Sequence, residues 1–230
     1  MDSNLNKARD AFLKHEFSKA LNFYQQEIIA DPKNLEALLG AAKCHAMMNN
    51  YTEAVSLCRR IIGLNPNFAM AHVILSEIYY RTGESSKSRY EIELAHSISP
   101  TDPNVLESYG VLLFQDKNWD RGIELLEEAL RLDPKMQHAY FNLSMMYEKK
   151  QDIDKVLWCA QKIYELNPSI KNKIRLLIAQ MNYKRLFKPI VIGILLFLFG
   201  IIVFRIWELF IPILIALIIM LFVKVSLQTP

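Results

Sequence analysis

Histidine, cysteine and carboxylate side chains are the groups of this chain that could hold a metal ion or act in catalysis. The five histidines are far apart, without the spacing of metal ligands: His15, His45, His72, His96 and His138. The string His15-Glu16-Phe17 lacks the second histidine, four residues on, that zinc proteases use. Seven glycines leave little room for a phosphate-binding loop, and no G-x-S-x-G motif occurs. The sequence therefore predicts no enzyme activity, no cofactor and no metal site.

The three cysteines are odd in number and widely spaced, and no C-x-x-C pair is present. Cys44, Cys58 and Cys159 all fall within predicted helices. We therefore expect them to be small buried apolar residues in a reducing compartment, rather than a redox site.

Proline sets the organisation of the first three-quarters of the chain. It occurs at positions 32, 66, 100, 134 and 168, so an interval of 34 residues is repeated four times. A fixed period of this length indicates stacked helix–turn–helix units. Such arrays form a long concave surface that usually binds other proteins. The residue before each proline suits a turn: Asp31, Asn65, Ser99, Asp133 and Asn167.

Small and bulky residues also recur at fixed positions within each unit. The fourth unit shows the pattern best, with Leu106, Tyr109, Gly110, Leu113, Gly122, Leu126, Ala129 and Pro134. On this pattern, residues 1–170 resemble the tetratricopeptide repeat family, in which small residues at positions 8, 20 and 27 let helices approach closely. The first unit departs from the family at Asn4 and Lys7, where larger apolar residues are expected.

The resemblance implies an all-α fold, a right-handed superhelix of five helix–turn–helix repeats with a C-terminal capping helix. The repeats would occupy residues 1–34, 35–68, 69–102, 103–136 and 137–170. We expect two transmembrane helices to follow, for the reasons given below.

The resemblance also implies which residues line the concave groove, because positions 2, 5, 9 and 12 of each first helix point into it in the family. Ten apolar residues occupy such positions: Leu5, Phe12, Leu39, Met70, Val73, Tyr80, Val111, Phe114, Phe141 and Met145. Methionine and flat aromatic residues suit an amphipathic helix or an apolar peptide of a partner. Several of these residues could instead belong to the core, and the sequence leaves both interpretations open.

Some members of the family bind the C-terminal carboxylates of chaperones through a clamp of lysine, arginine and asparagine. The matching positions of the first three repeats hold Leu5, Arg9, Gly40, Met70 and Ile74. We therefore expect no chaperone binding by such a clamp.

Charge is distributed unevenly along the chain. The formal net charge of the chain is +3, but residues 1–169 carry 19 basic and 23 acidic side chains. This balance argues against a nucleic-acid-binding array, which would need a basic stripe. Residues 170–188 contain six basic residues and no acidic one: Lys171, Lys173, Arg175, Lys184, Arg185 and Lys188. Anionic lipid headgroups are a better explanation for this block than RNA.

Residues 171–188 are predicted to form a basic amphipathic helix. Ile174, Leu177, Ile178 and Met181 follow the spacing of one helical face. This face could cap the end of the repeat array, and the basic face could rest on a membrane surface.

The segment after this helix is apolar with a polar break in its middle. One straight helix over 189–223 would be about 52 Å long, whereas a hydrocarbon core is about 30 Å thick. Two short transmembrane helices joined by a polar turn avoid this mismatch and keep charges out of the bilayer centre. The predicted segments are transmembrane helix 1 at 189–204, a turn at 205–208, transmembrane helix 2 at 209–223, and a tail at 224–230. The turn contains Arg205, Trp207 and Glu208.

These features predict a membrane-anchored adaptor or scaffold that recruits or assembles protein partners at the cytoplasmic face of a membrane. Basic residues at both ends of the hairpin place the repeats and both termini in the cytoplasm. No signal peptide is expected, and a bacterial inner membrane is favoured over an organelle membrane. The alternative is an accessory or regulatory subunit of a larger integral-membrane complex for secretion, envelope assembly or transport, with the hairpin packed into that complex.

Overall fold

The computed structural model describes residues 3–180, 196–199, 201 and 210, and its regular structure is helical throughout these residues. This confirms the prediction of an all-α fold. Residues 3–180 form eleven α-helices. They are α1 (Asn4–Leu13), α2 (Phe17–Ala30), α3 (Leu35–Met47), α4 (Tyr51–Leu64), α5 (Ala69–Arg81), α6 (Ser85–Ile98), α7 (Pro103–Gln115), α8 (Trp119–Leu132), α9 (Gln137–Lys149), α10 (Ile153–Leu166) and α11 (Ile170–Gln180).

Each 34-residue interval holds two of these helices, and the periodic proline follows the second. Helices α2, α4, α6, α8 and α10 each end two residues before a proline. The intervening residue has φ between −132° and −147°, because a following proline disfavours the helical conformation. The side chains of Asp31 and Asp133 each accept a hydrogen bond from the backbone N–H two residues on, at 3.0 Å. Proline therefore ends the second helix of every repeat.

The turn between the two helices of each repeat also recurs every 34 residues. The residues with positive φ are His15, Asn49, Gly83, Lys117 and Gln151. This left-handed conformation costs a residue with a side chain about 1–2 kcal/mol, whereas glycine adopts it freely. Hydrogen bonds hold the turn: in the fourth repeat, the N–H of Asn118 donates to the carbonyl of Leu113 at 2.8 Å. Glycine occupies this position only in the third repeat.

The ten repeat helices form an inner and an outer layer. The odd-numbered helices contact one another from repeat to repeat, α1 with α3, α3 with α5, α5 with α7, and α7 with α9. Each of α2, α4, α6 and α8 packs against the odd-numbered helices before and after it. The odd-numbered helices therefore form a continuous inner face, which is where the groove was predicted.

The core lies between the two layers and is filled mainly by aliphatic residues. Leu38, Ile61, Ile78, Leu106 and Leu126 are among its fully buried side chains. Burying one such side chain contributes about 1.5–3 kcal/mol to the free energy of folding. Residues from both layers thus stabilise the packing of the helix pairs.

The chain divides into two compact units, Met1–Pro168 and Ser169–Pro230. Within the second unit, α11 carries Lys171, Lys173 and Arg175. The other three predicted membrane-proximal residues, Lys184, Arg185 and Lys188, lie outside the described residues.

The sequence predicted that Ile174, Leu177 and Ile178 share the apolar face of α11. All three side chains are exposed, whereas Leu176 and Asn172 are buried. Helical spacing identifies residues that share a face, but it does not determine whether another element covers that face. The capping role of this helix stays a prediction.

Within the described residues, no helix combines the length and the apolar character that crossing a bilayer requires. The predicted transmembrane helices fall outside the described residues except at 196–199, 201 and 210, and so does the turn with Arg205, Trp207 and Glu208. They stay predictions.

Candidate partner-binding groove

The ten residues predicted to line the groove all lie on the inner layer of odd-numbered helices. Tyr80 and Phe141 are exposed, at 37% and 38%, and Val73 is buried. The other seven are half-buried: Leu5, Phe12, Leu39, Met70, Val111, Phe114 and Met145. The inner face is therefore partly apolar and partly accessible.

Six of the ten predicted groove residues contribute to the core, and one of these, Val73, is itself a buried core residue. The other five pack against buried clusters: Leu5, Phe12, Leu39, Met70 and Phe114. Some of the predicted residues thus belong to the core, and others are accessible to a partner in the groove. Tyr80 and Phe141 are the most accessible apolar side chains of the predicted set, and they lie on α5 and α9.

A cavity of about 520 Å³ lies between α5, α6 and α7. Three predicted groove residues line it together, Val73, Tyr80 and Val111, and Ile92 and Leu112 extend its apolar wall. The other seven predicted residues do not line it. Its volume falls within the range of about 300–1,000 Å³ that is usual for ligand pockets.

Two serine hydroxyls hydrogen-bond each other across the third repeat and also line this cavity. Ser76 Oγ on α5 and Ser88 Oγ on α6 are 3.1 Å apart, and both residues are buried. Each hydroxyl oxygen has two lone pairs and only one hydrogen. Because both side chains are buried, the two hydroxyls satisfy each other at the wall of the cavity.

Two charged residues on α5 form an ion pair at the cavity. An Nη2 hydrogen of Arg81 is donated to Glu77 Oε1 at 2.7 Å, and both residues line the cavity. Glu77 also interacts electrostatically with Lys43, a half-buried residue on α3. Burial lowers the pKa of the Lys43 ammonium, and the negative charge of Glu77 opposes this shift. Glu77 is therefore balanced by two cationic neighbours.

Glu107 on α7 is the second carboxylate that lines the cavity. It is half-buried and accepts a hydrogen bond from Asn142 Nδ2 at 3.0 Å. Burial raises the pKa of the Glu107 carboxyl, while the charge of His138 and the hydrogen bond from Asn142 oppose the shift. Among the described residues, no Lys or Arg forms an ion pair with Glu107. It is thus a partly desolvated carboxylate that accepts a hydrogen bond from an amide.

Sequence reasoning missed most of the polar residues of this cavity. The predicted groove residues are all apolar, so the prediction did not include Ser76, Glu77, Arg81, Ser88 or Glu107. Serine at both small positions of the third repeat was a usable signal, because the fourth repeat has Gly110 and Gly122 there. The rest of the α6 side of the cavity, Ile92, was not predicted, because only first-helix positions were considered for the groove.

The three cysteines are buried, as predicted. Burial raises the pKa of the Cys44 thiol to about 11, and those of Cys58 and Cys159 to about 12. A buried, protonated thiol is a poor nucleophile. In the part of the chain that the structure describes, no group of three His, Cys, Asp or Glu side chains could hold a metal ion.

Two family models match the repeat region of the sequence. Residues 11–72 match a tetratricopeptide repeat model. Residues 45–176, more than half of the chain, match the model described as "Psidin, N-terminal TPR repeats region". The chain belongs to the tetratricopeptide repeat family. The repeat fold of this family is a scaffold that is typically non-enzymatic.

Individual relatives share the repeats over limited lengths. The chain is 26% identical over 156 residues to "Probable UDP-N-acetylglucosamine--peptide N-acetylglucosaminyltransferase SPINDLY" of Hordeum vulgare, which covers 65% of this chain and 16% of that protein. It is 31% identical over 97 residues to "Protein SGT1 homolog" of Oryza sativa subsp. japonica, covering 42% of this chain and 26% of that protein. The chain thus spans about a quarter or less of the length of these curated relatives.

A solved tetratricopeptide repeat structure resembles the fold. The thermophilic repeat protein TTC0263 of Thermus thermophilus has a TM-score of 0.69 and 17% sequence identity, over 77% of this chain and 97% of that chain. This likeness shows the fold alone, a tetratricopeptide-like superhelix.

Proposed function

We propose that this chain is a scaffold that recruits or assembles partner proteins through the inner face of its repeats, at a membrane to which its C-terminal segment anchors it. Tetratricopeptide repeat proteins generally mediate protein–protein interaction. The observation that carries the proposal for this chain is the cavity between α5, α6 and α7, with the accessible Tyr80 on its wall. A concave surface with an apolar cavity provides a place for a partner's anchoring side chain.

Two features of the second unit support a membrane location. Residues 189–204 and 209–223 are uncharged and apolar, as membrane-spanning segments are. Helix α11 exposes Ile174, Leu177 and Ile178 beside its lysines, and basic amphipathic helices bind anionic membrane surfaces. The proposal places the repeats and both termini in the cytoplasm, at a bacterial inner membrane.

The partner-binding role is tested by Phe141→Glu on the inner face, with Tyr90→Glu as a matched control. Tyr90 is also an exposed aromatic residue, at 64%, but it lies on the outer-layer helix α6. Partners cross-linked in intact cells should co-purify with the wild type and Tyr90→Glu, and be lost from Phe141→Glu. Loss of an interface anchor costs about 2 kcal/mol or more, which is about 30-fold in affinity.

Circular dichroism of both variants provides the control for folding, and we expect the helical signal of the wild type in each. A Phe141→Glu protein that folds and retains every partner would contradict the proposed binding surface.

The membrane topology is tested by single cysteines at Ser3 and Gln228, in a background without the three native cysteines. Both should be protected from an impermeant thiol reagent in intact cells and become reactive when the cells are opened. Labelling of only one of the two positions in intact cells would rule out the two-helix hairpin.

A further inference from the structure

The cavity between α5, α6 and α7 carries an excess of negative charge. Its ionisable lining residues are Glu77, Arg81 and Glu107, which sum to one negative charge when all are ionised. The guanidinium of Arg81 already pairs with Glu77. Glu107 is therefore the carboxylate that this pair leaves uncompensated.

The surroundings of Glu107 make this negative charge unfavourable in the free protein. Removing a carboxylate from water costs free energy unless a cation or several hydrogen bonds replace the water. Here the replacements are one hydrogen bond from Asn142 and the charge of His138, which is exposed on α9. A cation in the cavity would interact with Glu107 at lower cost than at a fully solvated site, because part of the desolvation has already occurred.

We propose that this cavity receives a basic side chain, lysine or arginine, from a partner segment that lies along the inner face. Its aliphatic stem would contact Val73, Val111 and Leu112, and its charged head would donate hydrogen bonds to the Glu107 carboxylate. The proposal rests on the proposed function, because it takes the inner face as the binding surface, and it adds the chemistry of the anchoring residue.

The walls disfavour the other classes of side chain. An acidic side chain would meet Glu107 and would compete with Glu77 for Arg81, so like charges would approach in a partly dry site. An apolar side chain would fill the volume but would remove the remaining water from Glu107 without replacing it. A lysine or arginine combines an apolar stem with a cationic head, so it can contact the apolar wall and the Glu107 carboxylate together.

The probe for the test is a displayed library of random peptides, selected on the full-length protein in lipid nanodiscs. We expect the enriched peptides to share a lysine or arginine at one position. Glu107→Gln should lower the affinity for these peptides by about tenfold or more, since it removes the negative charge that pairs with the basic side chain. The substitution retains a side-chain oxygen that can accept from Asn142, so the local hydrogen bond is preserved. The matched control is Glu148→Gln, an exposed carboxylate on α9, which should leave affinity within about twofold because exposed charges contribute little.

Replacing the shared arginine of a selected peptide by citrulline separates its charge from its shape. The citrulline peptide should bind the wild type about tenfold more weakly than the arginine peptide does. Both peptides should bind Glu107→Gln with equal affinity, because only the wild type has the partner charge. An equal loss with both proteins overturns the proposal, since the cation would then bind elsewhere.

Two further outcomes are distinguishable. Enriched peptides that lack a basic residue but lose binding on Phe141→Glu would overturn the basic anchor and leave the proposed function standing. Absence of any peptide that is sensitive to Phe141→Glu or Glu107→Gln would overturn both.

Discussion

Repeats 3 and 4 have the same length and matching helix bounds, but they join their two helices in different ways. In repeat 4, Gly110 on α7 and Gly122 on α8 allow close backbone approach. A Cβ built on Gly110 would lie 3.2 Å from the carbonyl oxygen of Gly122, and one built on Gly122 would lie 2.9 Å from Met146 Cε. In repeat 3, Ser76 and Ser88 occupy the same two positions and bond each other at 3.1 Å.

The turns of the two repeats differ in the opposite sense. Gly83 forms the positive-φ turn in repeat 3, with φ of 82°, and Lys117 forms it in repeat 4, with φ of 62°. Repeat 4 thus uses glycine where helices meet, and repeat 3 uses it where the chain turns. One repeat geometry thus tolerates a polar contact between its helices, and this polar contact lies where the cavity forms.

Placing serine at both contact positions of repeat 4 should have the largest effect on stability. In Gly110→Ser/Gly122→Ser, the new Cβ atoms would meet Leu126 Cγ at 3.0 Å and Met146 Cε at 2.9 Å. Overpacking costs about 1–3 kcal/mol per site, so we expect the free energy of unfolding to fall by about 2 kcal/mol or more. Denaturant unfolding of the full-length protein in detergent measures it.

The matched control for this double variant is Gly63→Ser on α4. Nothing lies within 4 Å of a Cβ at Gly63, so its stability should be unchanged or slightly raised. Equal denaturation midpoints for the double variant and the wild type would show that repeat 4 has room for the polar pair of repeat 3.

Removing one hydroxyl of the polar pair in repeat 3 should have an intermediate effect. Ser76→Ala leaves the buried Ser88 hydroxyl without its partner, and Ser88→Ala does the same for Ser76. Each should cost about 1 kcal/mol or more of unfolding free energy, and the double variant should cost less than the sum. Strictly additive losses in a double-mutant cycle would contradict a direct bond between the hydroxyls.

Exchanging the turn residues should have a smaller effect of opposite sign in the two repeats. Lys117→Gly relieves the positive φ and should raise the free energy of unfolding, whereas Gly83→Lys should lower it, each by about 1 kcal/mol. The thermal midpoints of the two variants measure this. A fall in stability for Lys117→Gly would mean that chain entropy outweighs the relief of strain.

Glu107→Gln should have the smallest effect, and one that depends on pH. Because burial raises the pKa of this carboxyl, the fold favours its neutral form, so its contribution is greatest at low pH and is lost as pH rises through the folded pKa. The variant should therefore melt at a higher temperature than the wild type at pH 7, and the difference should vanish below about pH 4. If the difference in melting temperature does not change with pH, titration of the Glu107 carboxyl is not its cause.

The sequence period predicted the repeats because proline and small residues impose local constraints that need no knowledge of distant contacts. The same argument could not find the positive-φ turn, since His15, Asn49, Lys117 and Gln151 share no residue type and only Gly83 carries the signal. Helical spacing likewise groups Ile174, Leu177 and Ile178 on one face of α11, but whether that face is covered depends on what lies beside it.

The binding surface was predictable in outline only. Position within the repeat placed Val73, Tyr80 and Val111 on the inner face, where the cavity is. The burial of Glu107 and the participation of Ser88 depend on how closely α5, α6 and α7 approach, and no local pattern determines those distances.

Binding of partners to the inner face can be detected with a photo-crosslinking amino acid placed at Tyr80 or at Tyr90. Tyr80 lines the cavity on α5, and Tyr90 is exposed on the outer-layer helix α6. Illumination of intact cells should yield a cross-linked partner from position 80 and none from position 90. Cross-links from position 90 with none from position 80 would contradict the account.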